Sequence, residues 1–517
     1  MIARSFILTV GIGPDIVGHA LQTSPCTERI PHIFLTEPPV AKTKSVILTC
    51  LICVASVVHT TAQAFKTVAT FNGANGGAPL YSAPVQGTDG NLYGVGSFGD
   101  GSIFKLDRAG NLSSIFTFDG ANGAESFGGL ILANGGRFYG TTRGGGTYGA
   151  GTVFSTTNSG TFTSLYSFCA TSGCPDGDGP EGPLIQAWDG NLYGTAASGG
   201  LNVCVNSGSC GLIFKMTPAG AVTVFYLFCQ ESNCTDGFAP FGGLVQGADG
   251  TLYGTTNAGG LGFGTVFKIT TAGQFTTLYT FCSQTDCPDG RNPLAGLTLG
   301  LDGNFYGSTA LGGNNSLCSN GCGTLFKITP QGALTTLYSF SSIDGNQPSG
   351  TLAQGSDGNF YGTTRFGGTS FLCQGGCGTV FQLTPQGTLT TLHSFHNNGD
   401  GDYPLGSVFQ ATDGKFYGMT FTGGSSDLGT VFRLDMGLGP FVTLVRKAGK
   451  VGQTVGILGY GLQNASAVSF NGTPSKFTIR SGTYIAAIVP AGVTTGVVTV
   501  TTSSGTLSSN IAFQVLP

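Results

Sequence analysis

One string returns seven times along this chain, and a fold without internal repetition would leave it unexplained. The string is x-D-G-N-(L/F)-Y-G. Its tyrosines are Tyr93, Tyr139, Tyr193, Tyr253, Tyr306, Tyr361 and Tyr417, spaced 46, 54, 60, 53, 55 and 56 residues apart. A second string, G-(T/S/L)-(V/I/L)-F, follows each copy and ends at Phe104, Phe154, Phe214, Phe267, Phe326, Phe381 and Phe432. The second copy is the most degenerate: Gly135-Gly136-Arg137 stands in place of Asp-Gly-Asn. A period of roughly 40–55 residues marks a unit that buries its apolar face only against its neighbours.

Each repeat reads as four short strands, a to d. Strand a is an apolar segment such as Gly243-Leu244-Val245-Gln246, and strand b is Leu252-Tyr253-Gly254-Thr255-Thr256 after an Asp-Gly turn. Strand c is Gly264 to Ile269, reached through a Gly-rich loop, and strand d is a segment such as Leu334 to Phe340 after Thr-Pro-Gln-Gly. Asp-Gly and Pro-x-Gly supply the positive φ, or preset the φ, that a tight antiparallel turn needs. Glycine at 89 of 517 residues and charged residues at only 9% agree with short strands and tight turns, and no Ala/Glu/Lys/Leu stretch suggests a helical protein. Strand d ends at Phe118, Phe168, Phe228, Phe281, Phe340 and Phe395, and no copy follows the seventh strand c. The missing copy, Phe65-Lys66-Thr67-Val68-Ala69-Thr70-Phe71, stands ahead of the first repeat. The expectation is an all-β chain: a seven-bladed β-propeller over 65–435, closed by its N-terminal strand beside 429–434.

The strings D-G-N-x-Y-G-T-T and G-T-V-F-K-(L/I)-T-P-x-G-x-L-T-x-L-Y-S-F are clearest at 302–340 and 357–395. They resemble the GloVer tandem-repeat family of bacterial exported proteins (choice-of-anchor group), which implies no particular reaction. The hairpin layout is also similar to the streptogramin lyase type of propeller. Beyond a Gly/Pro linker at 436–440, residues 441–517 alternate in six short segments separated by Gly, Ser and Thr, which suggests an immunoglobulin-like β-sandwich. Gly459-Tyr460-Gly461-Leu462, Val468 to Gly472, Ile488 to Gly492 and Gly496 to Thr502 give it a resemblance to IPT/TIG domains, which implies a spacer or adhesion role.

Lys42 and Lys44 precede the apolar run Ser45 to Val58, and Ala62-Gln63-Ala64 follows. This reads as a signal peptide over 40–64 cleaved after Ala64, with 1–39 unstructured or a start-site artefact. No membrane span is expected after cleavage. Twelve of the 15 cysteines lie beyond that site in six close pairs: Cys169/Cys174, Cys204/Cys210, Cys229/Cys234, Cys282/Cys287, Cys318/Cys322 and Cys373/Cys377. Local even pairing suggests disulfides formed outside the cytoplasm, on the cell surface, in the periplasm or in the medium, although neighbouring loops exchanging partners fits the spacing too.

The net charge of −4 and the absence of a basic run argue against nucleic-acid binding. Strand order puts the b–c and d–a loops, with every cysteine pair and most length variation, on one face, and binding usually sits on such loops. A ring of D-G-x-x-P leaders (Asn75, Asn122, Asp176, Asp236, Asp289, Asp344 and Asp400) reads as loop-ordering Asx turns more readily than as a ligand site. Departures from the repeat are the better candidates for ligand binding: Arg143, Asp178, Glu181, Arg291, Arg365, His396, Asp402 and Tyr403. The recurrent Tyr and Phe residues, and His393 at a tyrosine position, read as packing. No nucleophile or metal motif stands in a supporting context, so no catalytic residue, metal or cofactor is assigned. Three readings remain, of which the first two are an exported binding or scaffold protein for a glycan or surface protein and an extracellular lyase or glycoside hydrolase using loop carboxylates. A purely architectural envelope protein is the third, and the oligomeric state is left open.

Overall fold

The computed structural model describes residues 63–200, 210–314 and 317–517, all within one compact unit, Thr61–Pro517. The segment 1–39, most of the signal peptide and Cys204 lie outside the described residues.

Among the described residues the chain is nearly all strand, and the repeats form seven antiparallel sheets. Repeat four is representative: Val245–Gln246, Leu252–Thr256, Thr265–Ile269 and Phe275–Thr280 follow one another across the sheet. Strand a is shorter than its apolar run. The glycines before it sit backbone to backbone with the next repeat, where a Cβ on Gly242 would meet Ala295 C at 2.6 Å. Repeat six carries a fifth strand, Asn346–Pro348. The last sheet takes its outer strand from the other end of the chain. Ala64–Thr70 runs antiparallel to Thr430–Asp435, with Phe65 opposite Leu434 and Thr67 opposite Phe432.

The seven-fold Tyr-Gly has a steric cause. The glycine of strand b lies opposite the phenylalanine of strand c, as Gly254 opposite Phe267. A Cβ on Gly254 would stand 2.6 Å from Cζ of Phe267, and the other six repeats place a phenylalanine ring over the same glycine. That phenylalanine is fully buried in every repeat. In six of the seven repeats the Oη of the tyrosine beside the glycine donates to the aspartate of its own Asp-Gly turn, as Tyr253 to Asp249 (3.0 Å) and Tyr361 to Asp357 (2.8 Å).

Two belts of hydrogen bonds join neighbouring repeats, one at five of the seven boundaries and one at all seven. At the a–b turns, glutamines ending strand a reach back one repeat. Gln186 Oε1 accepts from Asn134 N–H (2.9 Å), Gln246 from Trp188 (2.9 Å), Gln354 from Leu301 (3.0 Å) and Gln410 from Ser356 (2.9 Å). Gln86 of the first repeat accepts from Thr412 of the last (2.9 Å). At the other end of strand a, the N–H of the fourth residue of D-G-x-x-P donates to the b–c loop of the preceding repeat in all seven cases. Examples are Asn292 to Phe263 (2.8 Å), Tyr403 to Cys377 (2.9 Å) and Ala78 of the first repeat to Leu428 of the last (2.8 Å).

Residues 441–517 form two four-stranded sheets and a short parallel pair around Val455, Ile457, Phe470, Ile485, Val500 and Phe513. They rest on the a–b and c–d turns. Arg446 Nη2 donates to Trp188 O (2.9 Å), Thr483 Oγ1 donates to Thr88 O (2.8 Å), and the Arg108 guanidinium lies 4.1 Å from the Tyr460 ring centre.

Gly254→Ala is expected to cost about 1–3 kcal/mol by overpacking. Urea unfolding measures it, and Phe267→Leu in the same chain is expected to return part of the loss. An undiminished cost in the Phe267→Leu background would contradict the steric account.

Candidate functional site

The D-G-x-x-P loops spend their leading acids on themselves. Asp176 accepts from Tyr166 Oη (2.7 Å) and Cys169 N–H (3.0 Å), Asp236 from Tyr226 Oη (2.9 Å), and Asp289 from Tyr279 Oη (2.9 Å) and Cys282 N–H (2.9 Å). Asp344 accepts from Tyr338 Oη (2.5 Å) and Ser341 N–H (2.8 Å). In the last of these loops His393, from strand d of repeat six, takes the tyrosine's place, 3.0 Å from Asp400, and its ring stacks on Phe65 at 3.6 Å. Burial works against the Asp400 charge, but the hydrogen bonds with His393 and from the His396 N–H outweigh it and hold its pKa below the usual value. Burial, then the hydrogen bond to Asp289, pushes Tyr279 up to about 12, and Tyr166, Tyr226 and Tyr338 rise for the same reasons.

The fourth residue of each loop carries a second regularity. Ala78, Glu125, Gly179, Ala239, Asn292, Gln347 and Tyr403 all hold φ between +48° and +63°. Six of the seven are not glycine, and such a conformation persists only where the surroundings over-determine it. The surroundings here are the N–H bond to the preceding repeat and a carbonyl that accepts from the residue after strand b. That second bond joins Arg143 to Glu125 (2.9 Å), Asn257 to Ala239 (3.0 Å) and Phe421 to Tyr403 (3.1 Å). The backbone is thus uniform while the side chains differ in size, charge and polarity.

Most of the sequence candidates fall on this frame. Arg143 is the residue after strand b, and Arg365 is its equivalent inside the longer strand b of repeat six, Phe360–Phe366; Asp178, Arg291 and Asp402 are third residues of the loop, and Tyr403 is a fourth. Arg143 is brought together with Glu181 (2.8 Å) and with Glu125 (3.3 Å), and its guanidinium lies 5.3 Å from the Phe127 ring. Glu181 lines a central pocket of about 130 Å³ with Tyr81, Phe241, Leu294 and Ser349. Burial raises its pKa, with Arg143 pulling the other way. Arg365 packs on Phe366 (4.6 Å), whose ring meets Tyr403 edge-on at 5.4 Å. Arg291 Nη2 donates to Asn320 Oδ1 (2.9 Å), with its guanidinium 5.6 Å from the Phe263 ring. Asp178 pairs through its backbone with Ser198. Asp402 is buried, which raises its pKa. His396 lies beside Asp400, its Nδ1 3.9 Å from the carboxylate. These residues form separate groups along the face, not one constellation.

Five cysteine pairs are bonded locally, Cys169–Cys174, Cys229–Cys234, Cys282–Cys287, Cys318–Cys322 and Cys373–Cys377. Cys210 is disulfide-bonded as well. The b–c loops also display large apolar side chains: Phe98, Tyr148, Leu261, Leu372 and Phe371, the last 97% exposed. Among the described residues no three His, Cys, Asp or Glu side chains are grouped to hold a metal, and no helix is long and apolar enough to cross a membrane.

The Gloeobacter/Verrucomicrobia repeat matches residues 56–205, 96–319, 205–371 and 315–458. The chain belongs to that repeat family. None of the curated proteins compared with this Gloeobacter/Verrucomicrobia repeat protein matches it. Solved structures similar to it include a fungal alcohol oxidase of the AA5 family in complex with copper. It is 14% identical, covers 85% of this chain and 98% of its own, and has a TM-score of 0.46. A gluconolactonase from Xanthomonas campestris is 14% identical over 60% of this chain and 88% of its own, at 0.37. A luciferin-regenerating enzyme is 13% identical over 74% and 98%, at 0.39. At these scores none of their activities carries over.

Glu125, Phe127 and Tyr81 were not among the residues the sequence singled out. Glu125 sits in the degenerate second repeat, aligned with Tyr403, and that alignment would have found it.

The four loop phenols stay neutral in the folded protein where unfolded phenols ionise, near pH 10. Their raised pKa values make the stability they contribute complete below about pH 10 and lost as pH rises through the folded values. Asp400 acts oppositely, contributing above about pH 4 and losing that contribution as pH falls through its lowered pKa. An alkaline titration should show tyrosinate absorbance from these phenols rising together with loss of near-ultraviolet circular dichroism. Their ionisation near pH 10 in a chain that keeps its tertiary signal would contradict the loop bonding.

Proposed function

We propose that this Gloeobacter/Verrucomicrobia repeat protein is an exported binding or scaffold protein. Its signal peptide is 40–64, with 1–39 outside the functional chain. Residues 65–435 are a seven-bladed β-propeller closed by the N-terminal strand, 436–440 a linker and 441–517 an IPT/TIG-like immunoglobulin-like module. The b–c/d–a face recognises a glycan or a protein at the cell surface or beyond it. The observation that carries this reading is the run of seven equivalent left-handed positions, Ala78 to Tyr403, whose backbone is held alike while their side chains vary. A rigid frame presenting variable chemistry beside exposed aromatic and aliphatic loop tips suits recognition. The leading loop acids are bonded within their own loops, and Glu125 and Glu181 share one arginine. The alternative, a carboxylate-dependent lyase or glycoside hydrolase, therefore rests on Glu181 at its small pocket.

A glycan and polysaccharide screen on residues 65–517, with product analysis of each hit, tests the reading. Binding without turnover is expected. Tyr403→Ser and the pair Arg143→Ala/Glu181→Gln should each weaken a hit at least about tenfold, a loss of roughly 1.4 kcal/mol, with melting temperature little changed. Turnover abolished by Glu181→Gln would replace the binding reading with the enzyme one. N-terminal sequencing of the exported protein should begin at Phe65. A chain retaining Lys42 would contradict the signal peptide.

A further inference from the structure

The inner strands and the C-terminal region line a chamber of about 630 Å³, within the size range of small-molecule sites. Its walls are strand-a residues of most repeats, including Leu130, Leu132, Ile185 and Val245, and its floor is Thr443 to Lys447 with Leu458, Ile511, Ala512 and Gln514. The lining contains no Asp or Glu and two cations, Arg446 and Lys447.

Neither cation is neutralised by the chamber. Arg446 Nη2 is held by Trp188 O at 2.9 Å, and its Nε–H is buried with no partner. Burial lowers its pKa, with Asp189, outside the lining, opposing. Lys447 is fixed through its backbone, its carbonyl accepting from Gln514 N–H (2.8 Å). Lys447 is an exposed residue that lines the chamber. Burial lowers the pKa of its ammonium, and no described residue gives its Nζ a hydrogen bond or an ion pair. Cations left without a counter-charge in an apolar enclosure are costly, and an anion that enters relieves the cost. A hydrated inorganic anion would gain nothing from the aliphatic walls, whereas a carboxylate on an apolar body satisfies both.

We propose that the chamber binds an apolar monocarboxylate, its carboxylate between Lys447 Nζ and Arg446 Nε–H and its hydrocarbon against the inner strands. This site is separate from the loop face, and stands whether or not that face binds a glycan. The arrangement makes one charge-assisted contact from each cation and leaves the walls to length and shape.

Calorimetry of residues 65–517 with octanoate and, in parallel, 1-octanol tests it. Octanoate is expected to bind at least tenfold more tightly than 1-octanol. Lys447→Met should remove that preference while leaving 1-octanol unchanged, and Arg446→Met should reduce it. Lys447→Met removes a charge that no hydrogen bond or ion pair holds, so it is expected to melt no lower than the parent, which separates loss of the site from loss of the fold. Equal affinity for the two ligands, an octanoate affinity unchanged by Lys447→Met, or no octanoate binding by the folded chain would each overturn the proposal.

Discussion

Two hydrogen bonds, Gln86 Oε1 from Thr412 N–H and Ala78 N–H to Leu428 O, connect the first repeat to the last. The first belongs to a belt found at five of the seven boundaries and the second to one found at all seven, so the ends of the array meet with chemistry used between the other repeats. The strand Ala64–Thr70 does the same for the outer layer, placing Phe65 against Phe432, Phe395 and His393. Were the array open, two sheet edges would be unpaired and the inner strands would enclose nothing. The chamber, the loop frame and the seat for residues 441–517 all follow from that closure.

The two ends of strand a are put to different uses. At the a–b turns the glutamine belt and the resting C-terminal region leave regular, short connections occupied by protein. At the opposite end the left-handed residue of each loop is pinned by two backbone bonds, and its side chain is released from any part in closure. Variation there costs the frame little, which is why Glu125, Asn292, Gln347 and Tyr403 coexist at equivalent positions. Of the five described disulfides, three tighten these loops and two the b–c loops, each closing within its own loop.

Much of this was legible in the sequence because it is local and repeated. Asp-Gly turns, the Gly–Phe pair and the absent seventh strand d place the strands, and close cysteine spacing anticipates the five bonded pairs. The glutamine belt was equally visible, at Gln86, Gln186, Gln246, Gln354 and Gln410, but its partners lie about 50 residues away or at the other end of the chain. The contacts of Arg446, Tyr460 and Thr483 with the a–b and c–d turns have no periodic signature at all. Nothing in the sequence sets Arg446 and Lys447 apart; the packing of the C-terminal region puts them in the lining of the chamber. Asp402, chosen as a departure from the repeat, proves buried: the sequence marks which residue differs, but not which way it faces.

The central claim is that recognition belongs to the b–c/d–a face and that the opposite face is structural. Hydrogen-exchange mass spectrometry on residues 65–517, with and without the tightest-binding polysaccharide, tests it most directly. The account predicts slowed exchange in loop segments 119–128, 143–151, 175–182 and 396–404, with the a–b and c–d turns unchanged. Slowed exchange confined to those turns or to 441–517 would contradict it.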